Sequence, residues 1–137
     1  MSDAATQTAG AKVWLDMDQK ALDAAYNQAV WAPNQESVHA RRAAQATGCF
    51  NRRKPQRFQY GESDLEGFDF YPGRSGVAPV RIFIHGGSWR NGTSQTVAHL
   101  ADTFCGAGAH FISMDFIQID AAGGNLLTMV QQVRNGV

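Results

Sequence analysis

The chain has 137 residues, 44% of them hydrophobic, and its 12 Lys and Arg residues balance its 12 Asp and Glu residues. The formal net charge of zero gives no reason to expect binding to nucleic acid, an acidic membrane or a highly charged substrate, and small-molecule chemistry is not excluded. No segment approaches the ~18 consecutive apolar residues that indicate a membrane span, so we expect a soluble protein. The length suits one domain but is short for many α/β enzymes, so a fragment is also considered.

The amino terminus and the two cysteines give expectations about compartment. The first ten residues lack both the basic start and the apolar core of a secretion signal, and we expect a disordered tail over residues 1–15. Cys49 and Cys105 do not have C-x-x-C spacing and predict neither a disulfide framework nor a metal site. We therefore expect a reducing, cytoplasmic environment.

Two helices are predicted before the first strand. Asp16 can cap the first of them. Pro33 disfavours helix at the residue before it, so Asn34 or Ser37 is expected to cap a second helix, with Gly48 as its stop signal.

The segment 51–57 follows this second helix and carries four cationic side chains. Such a segment could form a basic patch for phosphate or nucleic acid. The neutral composition and the lack of interleaved aromatic residues favour a solvated linker instead.

Two alternating segments come next. Phe58 and Tyr60 alternate with polar neighbours, and so do Phe68 and Phe70 after a short turn. This pattern predicts an antiparallel pair of strands.

The remaining pattern predicts strand, helix, strand and helix. Residues 80–84 are apolar except for one arginine, which is typical of a central strand covered on both faces of a parallel sheet. Thr93 or Ser94 can cap a helix, and residues 110–114 form a further strand, so one parallel crossover is expected. Asn125 is expected to begin a final helix.

The predicted strand 80–84 ends in His85-Gly86-Gly87-Ser88-Trp89. In one interpretation the glycines only let the strand turn into its helix, and His85 is a packed, hydrogen-bonded residue. In the other, the backbone N–H groups of Gly87 and Ser88 point at one spot and form an oxyanion hole for acyl transfer. Backbone donors need no side chain, so small residues suit such a loop.

This motif resembles the His-Gly-Gly-x-Trp (HGGxW) oxyanion loop of α/β-hydrolases, in particular the arylformamidase (kynurenine formamidase) and hormone-sensitive-lipase-like esterase branch. Residues 25–27 followed by Pro33 resemble the amino-terminal segment of bacterial arylformamidase-like proteins. The glycines at 106 and 108, the strand ending at residues 114–116 and residues 130–134 follow in the family's order. The resemblance covers the chain from about residue 20, but only the glycine motif is specific.

The resemblance implies an α/β fold that is the amino-terminal half of an α/β-hydrolase. It divides the chain into the tail, a helical cap segment at residues 16–50 and the first half of the hydrolase core at residues 51–137. In the family's sheet the first, second, fourth and third strands lie side by side. The free flank of the third strand is reserved for the nucleophile strand, which we expect a missing or separate carboxyl-terminal segment to supply.

The sequence departs from the family because it has no Gly-x-Ser-x-Gly nucleophile elbow. Ser88 has Gly86 before it but Arg90 where the second glycine belongs. The family's Ser, Asp or Glu, and His triad would follow residue 137, so no triad residue is expected in this chain. A nucleophilic Ser88 with His85 as its base is an unfavoured alternative, since their side chains need not meet.

Other polar residues are weaker candidates. His39, His99 and His110 have no metal-ligand spacing and are expected to be surface or packing residues. Asp115 follows a strand at the edge where α/β ligand sites gather and is a weak site candidate.

The implied function is serine-dependent hydrolysis of a small carboxylic ester or non-peptide amide, such as an N-formyl amide, with this chain supplying the oxyanion hole. His85 and Gly86 would support the loop, and Trp89, Tyr26 and Trp31 would contact substrate. No metal or organic cofactor is implied, and the carboxyl-terminal half is the expected partner, with a homodimer left open. The alternative is a non-catalytic, truncated hydrolase-fold protein that binds a partner through its open sheet edge.

Overall fold

The computed structural model describes residues 10–137, which form two compact units divided after His39. The described part of the first unit spans residues 10–39, and the second spans Ala40–Val137. Among residues 10–137 no helix is both long enough and apolar enough to cross a bilayer.

The first unit contains a small hairpin and short helices: β1 (Lys12–Trp14), β2 (Met17–Asp18), α1 (Gln19–Ala25), α2 (Gln28–Trp31) and the start of α3 (Gln35–Arg53). Residues 12–14 thus form a strand within the expected disordered tail, while residues 1–9 lie outside the described part of the chain. The first helix begins later than expected because Asp18, rather than Asp16, is its cap and accepts a 2.8 Å hydrogen bond from the Ala21 N–H. This bond and one from Gly10 lower the pKa of Asp18.

The second unit continues α3 and then contains β3 (Gln56–Gln59), β4 (Gly67–Tyr71), β5 (Val80–Ile84), a 3-10 helix (Ser94–Val97), α4 (Leu100–Gly106), β6 (His110–Met114) and α5 (Leu126–Gly136). The Asn125 side chain accepts a 3.0 Å hydrogen bond from the Leu127 N–H, which confirms the predicted start of the final helix. The predicted stop at Gly48 is wrong, since α3 continues to Arg53.

The four strands β3 to β6 form one mixed sheet in the order β3-β4-β6-β5. The predicted hairpin is confirmed, with Phe58 opposite Phe68 in the antiparallel pair of β3 and β4. β6 runs antiparallel to β4 and parallel to β5, with Ile82 opposite Ile112. The strand order is the one that the family resemblance implies.

The prediction that β5 is a central, covered strand is wrong for the described residues. β5 lies at one edge of the sheet and pairs only with β6. Val80 is 54% exposed and Ile84 is 45% exposed. An apolar run cannot distinguish a covered strand from an edge strand, because the covering elements come from elsewhere in the chain.

The core lies where α3 and α4 pack on one face of the sheet. Its buried residues are Ala46, Cys49, Tyr71, Ala98, Ala101, Cys105 and Phe111. The Phe104 and Phe111 rings stack with their centroids 5.6 Å apart. Both cysteines are free, and burial raises the pKa of each thiol.

The predicted solvated linker at residues 51–57 is also wrong, because its arginines form ion pairs. Arg52 and Arg53 contact the Asp102 carboxylate of α4 at 2.5 Å and 2.7 Å. Burial alone would raise the pKa of Asp102, but the Arg53 hydrogen bond and the charges of both arginines lower it. These pairs connect the last turn of α3 to α4, which explains why the helix extends beyond Gly48.

Candidate active site

The loop that follows β5, residues 85–92, is here called the glycine loop. Its backbone is left-handed at three consecutive residues, with φ of 96° at Gly87, 53° at Ser88 and 56° at Trp89. A left-handed conformation costs an L-residue other than glycine ~1–2 kcal/mol. Such strain persists where surrounding contacts over-determine the conformation, and it concentrates at functional sites.

Two glycines of this loop are required by space as well as by backbone angle. A Cβ added to Gly87 would lie 2.9 Å from the carbonyl oxygen of Asn91, and one added to Gly92, whose φ is 102°, would lie 2.8 Å from Nδ1 of His85. Gly86 differs, because a Cβ there would meet nothing within 4 Å.

The backbone N–H groups of Gly87 and Ser88 are the candidate oxyanion donors. Both residues are exposed, and within residues 10–137 neither N–H donates a hydrogen bond. The Gly87 carbonyl oxygen accepts a 3.1 Å bond from the Arg90 N–H, which closes a tight turn around them. Successive free N–H groups in a turn form a concavity that binds anions.

His85 lies at the base of the glycine loop and is only 5% exposed. Its ring stacks on Phe116 with centroids 4.5 Å apart, and its Nδ1 lies 3.0 Å from the carbonyl oxygen of Gly86. Nε2 is buried and has no partner among the described residues. Within residues 10–137 no hydrogen bond joins His85 to the exposed Ser88, so the structure shows no base bound to the Ser88 hydroxyl.

The three predicted substrate-binding aromatic residues are divided between the two units. Trp89 is 48% exposed in the second unit, and its carbonyl oxygen accepts a 2.8 Å hydrogen bond from the Ile119 N–H. Tyr26 and Trp31 belong to the first unit and are 77% and 75% exposed. All three remain candidates.

A cluster of polar side chains that the sequence did not predict lies beside the end of the glycine loop. Arg57, Asp69, Ser94 and Asp115 form this polar cluster. The Ser94 Oγ lies 2.6 Å from Asp69 Oδ2 and 2.9 Å from Asp115 Oδ2, and Arg57 Nη1 contacts Asp115 Oδ2 at 2.6 Å. The hydroxyl has one proton for two carboxylates, and the guanidinium compensates one of their charges.

The polar cluster does not form a catalytic triad. Ser94 is only 1% exposed, and among the described residues no histidine forms a hydrogen bond with it. A cavity of about 440 Å³ adjoins the cluster and is lined also by Phe50, Pro55, Thr93 and Gln95. A larger groove, about 590 Å³, lies between α3 and α4 and includes no residue of the glycine loop.

The other histidines have ordinary surroundings. His110 is buried, lies against the Phe70 ring at a tilt of 40° and accepts a 2.9 Å hydrogen bond from the Gly73 N–H. Burial, and then the charge of Arg42, lowers the pKa of His99. His39 is exposed. In the described part of the chain no three His, Cys, Asp or Glu side chains come together as a metal site requires.

Comparison with known proteins relates this arrangement to hydrolases through fold alone. No protein-family model and no curated protein sequence matches the chain. A predicted thioesterase from Silicibacter sp. TM1040 has a similar crystal structure, with a TM-score of 0.74 and 23% identity over 85% of this chain. An inhibited esterase B from Lactobacillus rhamnosis matches 78% of this chain with a TM-score of 0.52 and 19% identity.

The matched region corresponds to 45% of the length of the first neighbour and 38% of the second. At these identities the likeness establishes the architecture, and it agrees with the strand order β3-β4-β6-β5. The chain therefore has an α/β-hydrolase-like fold and spans less than half the length of each of these two neighbours.

Proposed function

We propose that this chain supplies the oxyanion hole of a serine-dependent hydrolase that acts on a small carboxylic ester or non-peptide amide. The observation that carries the proposal is the pair of free N–H groups on Gly87 and Ser88, in a left-handed loop directly after a strand of a hydrolase-like sheet. The names of the two structural neighbours, one an esterase and one a predicted thioesterase, support the same class of reaction.

The chemistry follows from where negative charge develops. A serine oxygen attacks the acyl carbon, the C=O bond becomes a single C–O⁻ bond, and this oxyanion accepts hydrogen bonds from Gly87, Ser88 and the residue after the nucleophile. Loss of one such donor raises the barrier by ~3 kcal/mol. His85 and Gly86 support the loop, and Trp89 forms a wall of the acyl pocket. No metal or organic cofactor takes part.

An N-formyl amide is the most specific substrate class we propose. Its support is the resemblance of His85 to Trp89 to the arylformamidase loop. A formyl group is the smallest acyl group, so it would suit a pocket bordered by the bulky indole of Trp89. Hydrolysis would release formate and a free amine, with water supplying the oxygen and the protons.

The nucleophile, in this proposal, comes from a segment that pairs with the open edge of β5. That edge is apolar and half exposed at Val80 and Ile84, and an unpaired apolar edge strand favours pairing with another segment. The segment is the carboxyl-terminal half of the same enzyme, carried on the same or a second polypeptide.

Fluorophosphonate labelling of the protein isolated from its source tests this proposal. The expected result is one labelled serine outside residues 1–137, whose labelling is blocked by an N-formyl amide substrate. The purified 137-residue chain alone is expected not to hydrolyse 4-nitrophenyl acetate. Turnover by this chain that is lost in Ser88→Ala would overturn the assignment of roles.

The second candidate function is a non-catalytic protein that binds a partner through the same sheet edge. Exposed apolar residues favour it, both on β5 and on α5, where Leu127 is 76% exposed and Val130 is 60% exposed. The absence of any labelled serine on the chain or on an associated polypeptide would favour this candidate over the enzyme.

A further inference from the structure

We propose that residues 115–120, here called the bracing segment, and Arg57 are positioning elements that fix the glycine loop in its left-handed conformation. This inference rests on the proposed function in that the fixed groups are the Gly87 and Ser88 donors. It adds that their placement is controlled from the end of β6, by residues outside the glycine loop.

The bracing segment contacts the start of the glycine loop through Phe116. This side chain is 4% exposed, and its ring lies nearly parallel to that of His85, at an interplanar angle of 13°. His85 directly follows β5, so the stack fixes the direction in which the loop leaves the sheet.

A second contact lies in the middle of the loop. The Ile119 N–H donates a 2.8 Å hydrogen bond to the carbonyl oxygen of Trp89. Next to it, Arg90 Nε lies 3.3 Å from an oxygen of Asp120, in a pair whose side chains are both more than 60% exposed. The backbone bond is the stronger restraint, since exposed ion pairs contribute little.

The third contact lies just beyond the loop. Both carboxylate oxygens of Asp115 lie against Ser94: Oδ1 accepts a 2.5 Å hydrogen bond from its N–H, and Oδ2 lies 2.9 Å from its Oγ. Ser94 begins the 3-10 helix two residues after Gly92. Asp115 therefore fixes the point at which the chain leaves the loop.

The bracing segment is in turn anchored to the first strands of the sheet. Arg57 of β3 binds the Asp115 carboxylate, and the Tyr60 hydroxyl donates a 2.5 Å hydrogen bond to the Asp115 carbonyl oxygen. Arg57 also lies 3.4 Å from Asp69, which is 4% exposed on β4. The bracing segment is thus bound to β3 and β4, neither of which is adjacent to β5.

These contacts are the tertiary restraints on the loop. Apart from the backbone ladder between β5 and β6, every hydrogen bond, ion pair and ring stack found within residues 10–137 from residues 85–92 to a residue outside 85–97 ends on the bracing segment. The left-handed backbone of Ser88 and Trp89 is strained and persists only if surrounding contacts hold it in place. The oxyanion donors likewise need neighbouring side chains whose rotamers are fixed. One short segment supplies both.

Amide hydrogen exchange measured by ¹⁵N NMR on the 137-residue chain tests the proposal without requiring activity. The Arg90 and Ile119 N–H groups, bonded to Gly87 and Trp89, report whether the loop is closed. We expect Phe116→Leu and Asp115→Ala to accelerate exchange of these two amides at least tenfold relative to amides of β4. We also expect the Gly87 and Ser88 amide resonances to shift.

Asp102→Ala is the matched control, because it also removes a carboxylate that binds arginines, but on α4. It is expected to change the exchange rates of the Arg90 and Ile119 amides by the same factor as those of the β4 amides. If Asp115→Ala does not fold, Phe116→Leu alone decides the question. If the exchange rates of the Arg90 and Ile119 amides change in proportion to those of β4 in every variant, the positioning role is overturned. A failure of the enzyme hypothesis would leave the exchange result unchanged.

Discussion

Replacing Gly87 with alanine should displace the backbone that carries both candidate oxyanion donors. The new Cβ would lie 2.9 Å from the Asn91 carbonyl oxygen, closer than Cβ atoms approach other atoms in proteins, at a φ of 96°. Left-handed backbone costs a non-glycine residue ~1–2 kcal/mol. Relief of the close contact adds to this cost, so we expect the free energy of unfolding to fall by at least about 1–2 kcal/mol.

Gly86→Ala is the control, because its Cβ would meet nothing within 4 Å and its φ is not positive. Its effect should stay within about ±0.5 kcal/mol, as for exposed substitutions that remove no contact, since alanine keeps the carbonyl oxygen that lies beside His85. Urea denaturation of the two variants and the parent chain, followed by circular dichroism, measures the difference. Equal effects of the two substitutions would refute the reasoning from space and backbone angle.

Three further predictions concern the polar cluster, one tyrosine and the two thiols. Arg57→Gln should lower the free energy of unfolding by about 3 kcal/mol, because it leaves the Asp69 and Asp115 carboxylates without their cation. Arg90→Gln, at an exposed ion pair, should lower the same free energy by less than about 0.5 kcal/mol. Urea denaturation measures both. Burial raises the pKa of Tyr60 from 10.0 to about 12, so the folded state keeps a proton that the unfolded state loses. Stability should therefore fall between about pH 10 and 12, and the fall in the urea midpoint should be smaller in Tyr60→Phe. Buried Cys49 and Cys105 should react with iodoacetamide only after unfolding, as mass spectrometry can show; rapid alkylation of the native chain would contradict their burial.

The strands of the second unit could be predicted from local pattern. Alternation at Phe58 and Phe68 and the apolar run at residues 80–84 gave the correct elements, because side-chain periodicity is a local property of a strand. The edge position of β5 could not be predicted from its residues, since it depends on which segments lie beside it. The strand order came from the family resemblance rather than from physics.

Long-range contacts explain what the sequence did not reveal. Arg57 and Asp115 are 58 residues apart, and no local pattern relates them, so Arg57 was assigned to a solvated linker. Gly48 has a low intrinsic helix propensity, but Cys49 packs in the core and Arg52 and Arg53 bind Asp102, so α3 continues through it. At the site, the glycine loop was recognisable from its motif, whereas the bracing segment became evident only from contacts in three dimensions.

The most direct test of the central claim is a crystal structure of the fluorophosphonate adduct of the protein isolated from its source. The phosphonyl oxygen marks the position that the oxyanion occupies during acyl transfer. We predict that it lies about 2.7–3.1 Å from the backbone nitrogens of both Gly87 and Ser88, with the adduct on a serine outside residues 1–137. An adduct whose phosphonyl oxygen contacts neither nitrogen would contradict the account.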